Sequence, residues 1–71
     1  MPSFKPREVV RILKKLGFVE KRQAGSHLIM YSLDMNKIIP VPIHPKDLKK
    51  GLLKSIIKQA DSSEGEFLKL K

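Results

Sequence analysis

The sequence contains no cysteine. Neither a disulfide nor a thiolate zinc site can therefore brace the fold. It has no tryptophan, one tyrosine and three phenylalanines, too few aromatics for the paired stacking platform of an RRM-type sheet. Only two histidines occur, His27 and His44, far apart in the chain and in no ligand motif, so neither a metal nor a cofactor is expected. Acidic residues are scarce, seven against fifteen Lys and Arg, and they form no paired-carboxylate constellation. A P-loop and a defensible Ser-His-Asp set are also missing. The longest apolar stretch, residues 38–43, is interrupted by Pro40 and Pro42 and is far too short to span a bilayer. The first residues lead into charge without an apolar leader segment. A cytoplasmic protein with no membrane partner is expected.

What is present is a chain of 71 residues with a formal net charge of +8. That length suits one domain, spanning 1–71, which buries only roughly 60% of the surface its unfolded chain exposes. The core has to come from Leu, Ile, Val and Phe alone. So much positive charge on so short a chain favours a polyanionic partner, nucleic acid first, then an acidic protein or anionic surface.

Val9, Ile12, Leu13 and Leu16 fall at i, i+3, i+4 and i+7, one apolar helical stripe. Pro6 suits the first turn, Phe4 and Val9 are placed for a hydrophobic staple, and Gly17 ends the helix as a left-handed cap. Residues 18–23 and 26–33 read as strands joined at Ala24-Gly25, and residues 38–43 as a third strand after a turn at 34–37. Pro40 and Pro42 mark that strand as an edge. A second helix is expected over residues 49–60, with Leu52, Leu53, Ile56, Ile57 and Ala60 as its stripe. Ser63-Glu64-Gly65-Glu66 is a capping-box pattern that starts a short third helix. The order is α-β-β-β-α with a helical turn after it. Two helices would cover one face of a three-stranded antiparallel sheet, an α+β fold matching the double-stranded-RNA-binding domain. In residues 26–33 both sides carry apolar groups, so alternation does not decide which face is covered.

His27 carries the most chemistry. It follows Gly25-Ser26 at the start of a strand, and imidazole suits proton transfer near neutral pH. RNA brings its own nucleophile, the 2′-OH beside the scissile phosphate, so one histidine among cations makes a minimal cleavage kit. The alternative is a strand-start histidine bonded to a backbone carbonyl. Gly25 permits close approach of a phosphate to the backbone and Ser26 adds a donor, although hairpin chemistry also accounts for Gly25. His44 is a second acid, base or phosphate ligand, or else a loop histidine. Lys21 and Arg22 precede the turn, and Lys46 and Lys50 bracket the start of the second helix, where backbone N–H groups favour phosphate. Arg11, Lys14 and Lys15 read as solvent-face charges of the first helix.

Arg22-Gln23-Ala24-Gly25-Ser26-His27 resembles the R-Q-x-G-S-H signature of HicA toxins. Val41-Pro42-Ile43-His44 is similar to their V-P-x-H element. Lys46-Asp47-Leu48, Gly51-Leu52-Leu53-Lys54-Ser55-Ile56 and Leu16-Gly17-Phe18 resemble further stretches of that family, so the likeness runs from about Pro6 to Leu70. It implies a dsRBD-like fold and the toxin half of a type II toxin–antitoxin pair, an mRNA interferase neutralised by a HicB-type antitoxin. It also implies that His27 is catalytic. Two departures stand out: Leu28 follows His27 where many relatives have a second histidine, and Leu52 stands where many have threonine. The first leaves His44 or a lysine to supply the acid.

The expected function is metal-independent endonucleolytic cleavage of mRNA by a chain that is monomeric when free. Lys21, Arg22, Gly25, Ser26, His44, Lys46 and Lys50 would hold the RNA. One rival is a non-catalytic RNA-binding module using the same basic face. Another is a protein-interaction partner that is basic because its mate is acidic. Neither helix follows a helix-turn-helix pattern, which disfavours DNA binding.

Overall fold

The computed structural model describes residues 3–71; Met1 and Pro2 lie outside the described residues. Pro6 occupies the first position of α1 (Pro6–Lys15), where its missing N–H costs no helical bond. Lys5, at the N-cap, has no side-chain acceptor, so only half of a capping box forms. The Glu8 carboxylate accepts from the Lys5 N–H at 2.8 Å. Phe4 and Val9 are both buried, as the staple requires. At the other end Gly17 takes a φ of +98°. The Phe18 N–H reaches the Leu13 carbonyl at 2.9 Å and the Gly17 N–H that of Lys14 at 3.1 Å, a Schellman closure that a left-handed residue permits.

Three strands follow, β1 (Val19–Ala24), β2 (His27–Ser32) and β3 (Lys37–Pro42), in one antiparallel sheet of order β1-β2-β3. The first turn is Gly25-Ser26, one residue later than the composition suggests. Gly25, the first loop residue, takes a φ of +60°, the position at which a two-residue type II′ hairpin needs glycine. The second turn carries its left-handed residue at Asn36, and the Ser32 hydroxyl accepts the Met35 N–H there. That bond satisfies Ser32, which is the buried polar residue of the sheet.

Helix α2 (Lys50–Gln59) packs on β3, and α3 (Glu64–Leu70) packs on α1 and α2. Leu53, Ile56 and Ile57 are the buried face of α2, while Leu52 is exposed at its first turn. In α3 Ser63 accepts the Glu66 N–H at 3.1 Å, and the Glu66 carboxylate bonds the Ser62 hydroxyl rather than the Ser63 N–H. Phe67 is fully buried and meets Phe4 edge-on at 6.1 Å. Helices α1 and α2 thus lie against the sheet with α3 packed on them, and the opposite side of the sheet remains open.

Pairing settles which side is covered. Met30 pairs with Ile39 and Leu28 with Val41. Met30, Ile39 and Val41 are buried with the helix residues. By the period of two, His27, Ile29 and Tyr31 stand on the open face.

Replacing Phe67 with Ala should cost about 3–5 kcal/mol, read as a lower urea midpoint. The expected unfolding is a single transition, because Phe67 belongs to the same buried cluster as the sheet residues. A second expectation concerns pH. The Lys5 N–H bond holds the Glu8 carboxyl below the usual glutamate range; slight burial opposes it, and Lys71, Lys5 and Arg11 add to it. A carboxylate with a lowered folded value contributes stability above its unfolded value and loses it as pH falls through the folded one. Stability of the wild type should therefore decline below the ordinary glutamate range more steeply than that of Glu8→Gln.

Candidate functional site

The β1–β2 hairpin aims His27 at one end of the open face. Its cross-strand partners are Ala24 and Pro42, and neither side chain can accept or donate a hydrogen bond. His27 is exposed. Its imidazole makes no hydrogen bond among the described residues. The bland role for a strand-start histidine, clasping a backbone carbonyl, is thus not the one it plays here. The exposed side chain is open to a ligand.

The turn beside it is tied down. The Gln23 side-chain amide donates to the Gly25 carbonyl at 3.1 Å, and the Ile43 N–H donates to the Ser26 carbonyl at 2.9 Å. The second bond carries the chain leaving β3 past the hairpin, so exposed His44 emerges at the same end of the sheet as His27. Gly25, Ser26, His27 and His44 are brought together in this way.

Lys21 and Arg22 lie on the neighbouring strand. The register shifts between Glu20 and Arg22, so Lys21 sits in a bulge. Its ammonium lies 5.3 Å from the Tyr31 ring centroid, within cation–π range. Arg22 pairs with Ile29 and shares the face of His27. That face therefore carries an imidazole, two cations and an aromatic ring on an apolar floor of Ile29, Ile38 and Pro40. Lys46 and Lys50 are exposed, on the segment leaving β3 and at the first position of α2, and no bond joins either to the His27 cluster. Among the described residues no three His, Asp or Glu side chains gather as a metal site.

Leu28 points to the helix side, so a second imidazole at that position would stand on the far face of the sheet from His27. The departure from G-S-H-H removes no neighbour from the His27 face. On that far side Leu28 helps to floor a cleft between α1 and the sheet, walled by Arg7, Arg11 and Lys14. Sequence reasoning treats Arg11 and Lys14 as ordinary surface charge and passes over Arg7. The available signal is their spacing of four and three residues, one row along a helix.

The sheet end depends on Gly25. Gly25→Ala would place a Cβ in open space, with nothing within 4 Å, yet would force an L residue to a φ of +60°. The expected cost is about 1–2 kcal/mol in urea unfolding, with amide shifts concentrated on residues 23–28 and 43.

A family model described as HicA toxin of bacterial toxin-antitoxin matches residues 6–61. No curated protein matches the chain. Helix α3 lies beyond the matched span, and no helix of the described residues is long and apolar enough to cross a membrane.

Proposed function

The chain belongs to the HicA toxin family of bacterial toxin–antitoxin systems, and from that premise we propose that it cleaves mRNA, with His27 moving the proton. The observation that carries this reading is the state of His27: exposed, unbonded within the chain, and on a face shared with Lys21 and Arg22. A histidine kept for structure would have a partner, and this one has none among the described residues.

The chemistry follows from RNA itself. The 2′-oxygen attacks the adjacent phosphorus, the bond from phosphorus to the 5′-oxygen breaks, and a 2′,3′-cyclic phosphate and a 5′-hydroxyl result. One group removes the 2′-proton and one protonates the departing oxygen. His27 takes one of these roles, and His44, which follows β3 at the same end of the sheet, takes the other. Lys21 and Arg22 stabilise the charge that builds on the phosphoryl oxygens. Gly25 and Ser26 allow the backbone to approach the phosphate. Lys46 and Lys50 extend the cationic track toward α2. No metal is called for in this scheme. In the cytoplasm a HicB-type antitoxin would hold the toxin inactive, and the free toxin would act as a monomer.

A non-catalytic RNA-binding module would use the same cations, but His27 would then only touch phosphate. The two readings separate in one assay. RNA is incubated with the purified chain in EDTA, beside a folded His27→Ala variant, and the product ends are mapped. The expected result is cleavage by the wild type, a loss of at least about 100-fold in the variant, and cyclic-phosphate ends. Binding without cleavage by the wild type would favour the RNA-binding module. A 3′-hydroxyl product would overturn the 2′-OH route.

A further inference from the structure

The cleft on the helix side of the sheet has no part in the scheme above. Its volume is about 440 Å³, within the range of small-molecule sites and too small for a folded partner. Pro6, Val10, Leu28 and Ile43 give it an apolar floor, and Arg7, Arg11 and Lys14 form one wall. These three cations are exposed and lie on successive turns of α1. Two are already engaged. Lys14 pairs with Glu20, which also lines the cleft, and Arg11 donates to the Lys71 carbonyl at 3.3 Å. Arg7 makes no hydrogen bond or ion pair among the described residues.

The cleft lies behind the His27 site, on the other face of the same hairpin. Leu28 is the next residue after His27, its side chain on the opposite face. Ile43 follows Pro42, which pairs with His27. Leu28 and Ile43 are thus each one peptide unit, about 3.8 Å between Cα atoms, from a residue of the site, His27 and His44. The Gly25-Ser26 turn, with exposed Gly25, ends the hairpin at this point, so a strand can pass from one face to the other around it.

We propose that this cleft is a nucleotide subsite, holding a base of the RNA strand whose scissile phosphate lies at His27, with Arg7 on that nucleotide's phosphate. The inference rests on the ribonuclease reading and extends it. In-line attack by a 2′-oxygen requires the nucleotides flanking the scissile bond to be splayed, because a stacked strand holds that oxygen off the line of the bond that breaks. A splayed base exposes an aromatic face and needs an apolar seat. The floor of Val10, Leu28 and Ile43 offers one, and a guanidinium can bind the attached phosphate through two parallel bonds. An acidic protein segment would also find cations here. A cleft of this volume, behind the His27 hairpin, fits one nucleotide better than an extended peptide.

The test uses the wild-type chain and a short single-stranded oligonucleotide with 2′-O-methyl groups, which cannot be cleaved by the 2′-oxygen. Methyl NMR signals of Val10, Leu28 and Ile43 are followed during titration. Inorganic phosphate and an oligo-glutamate peptide are titrated in parallel. The expected result is that the oligonucleotide moves these methyls and phosphate does not. On unmodified RNA, Arg7→Gln should raise KM about tenfold. Methyls that stay still while the wild type cleaves RNA would overturn the subsite and leave the ribonuclease reading standing. Methyls that move in a chain that cannot cleave would support the subsite and remove the catalytic reading. A response to oligo-glutamate alone would overturn the proposal in favour of protein docking.

Discussion

Everything at the His27 end depends on which side chains of β2 face the helices. Met30 is buried against Ile39 and the helical residues, and the period of two then turns His27, Ile29 and Tyr31 outward. A slip of one residue would bury the imidazole and expose Met30. Burial of a methionine relative to leaving it exposed is worth about 1.5–3 kcal/mol. An imidazole in its place would add the cost of a buried polar group without a partner. Core packing and the accessibility of the histidine are therefore one constraint seen from two sides of the sheet.

The helical layer does more than cover the sheet. Phe67 of α3 meets Phe4 at the start of the described chain. Lys15 donates to the Leu70 carbonyl, and Lys71 to that of Ser3, at 3.2 and 2.9 Å. The last helix thereby fixes α1, and α1 carries the cationic wall of the cleft. Residues beyond the span matched by the family model thus help to set the spacing between Arg7 and the sheet. Asp61, at the end of α2, is left-handed with a φ of +57°; a second Schellman closure there turns the chain into α3.

Much of this was legible in the residues. The stripe of Val9, Ile12, Leu13 and Leu16, stopped by Gly17, specifies α1 because periodicity and capping agree. Ser63 and Glu66 mark the start of α3. The prolines of residues 38–43 identify an edge strand. The covered face of β2 was not legible, because apolar groups occupy both sides and only the partners Val41 and Ile39 decide between them. The turn falls at Gly25-Ser26 because backbone geometry, rather than composition, chooses which loop residue is left-handed. Leu52 fits the apolar stripe of α2 by spacing, yet it lies at the exposed edge of the helix start. At the site, the G-S-H segment singles out His27, but its freedom from internal partners follows from Ala24 and Pro42 standing opposite. The row of Arg7, Arg11 and Lys14 becomes a wall only when α1 is set beside the sheet, a long-range arrangement that local patterns do not encode.

The two borders of the sheet share one further property. The Ile43 N–H bonds Ser26, so odd-numbered residues of β3 turn their donors toward β2. Pro40 and Pro42 then stand where outward-facing N–H groups would be, and that border has few donors left. On the other border, the bulge at Lys21 breaks the ladder and places a charge in it. Both borders therefore disfavour an added strand, and with it strand-by-strand growth into fibrils.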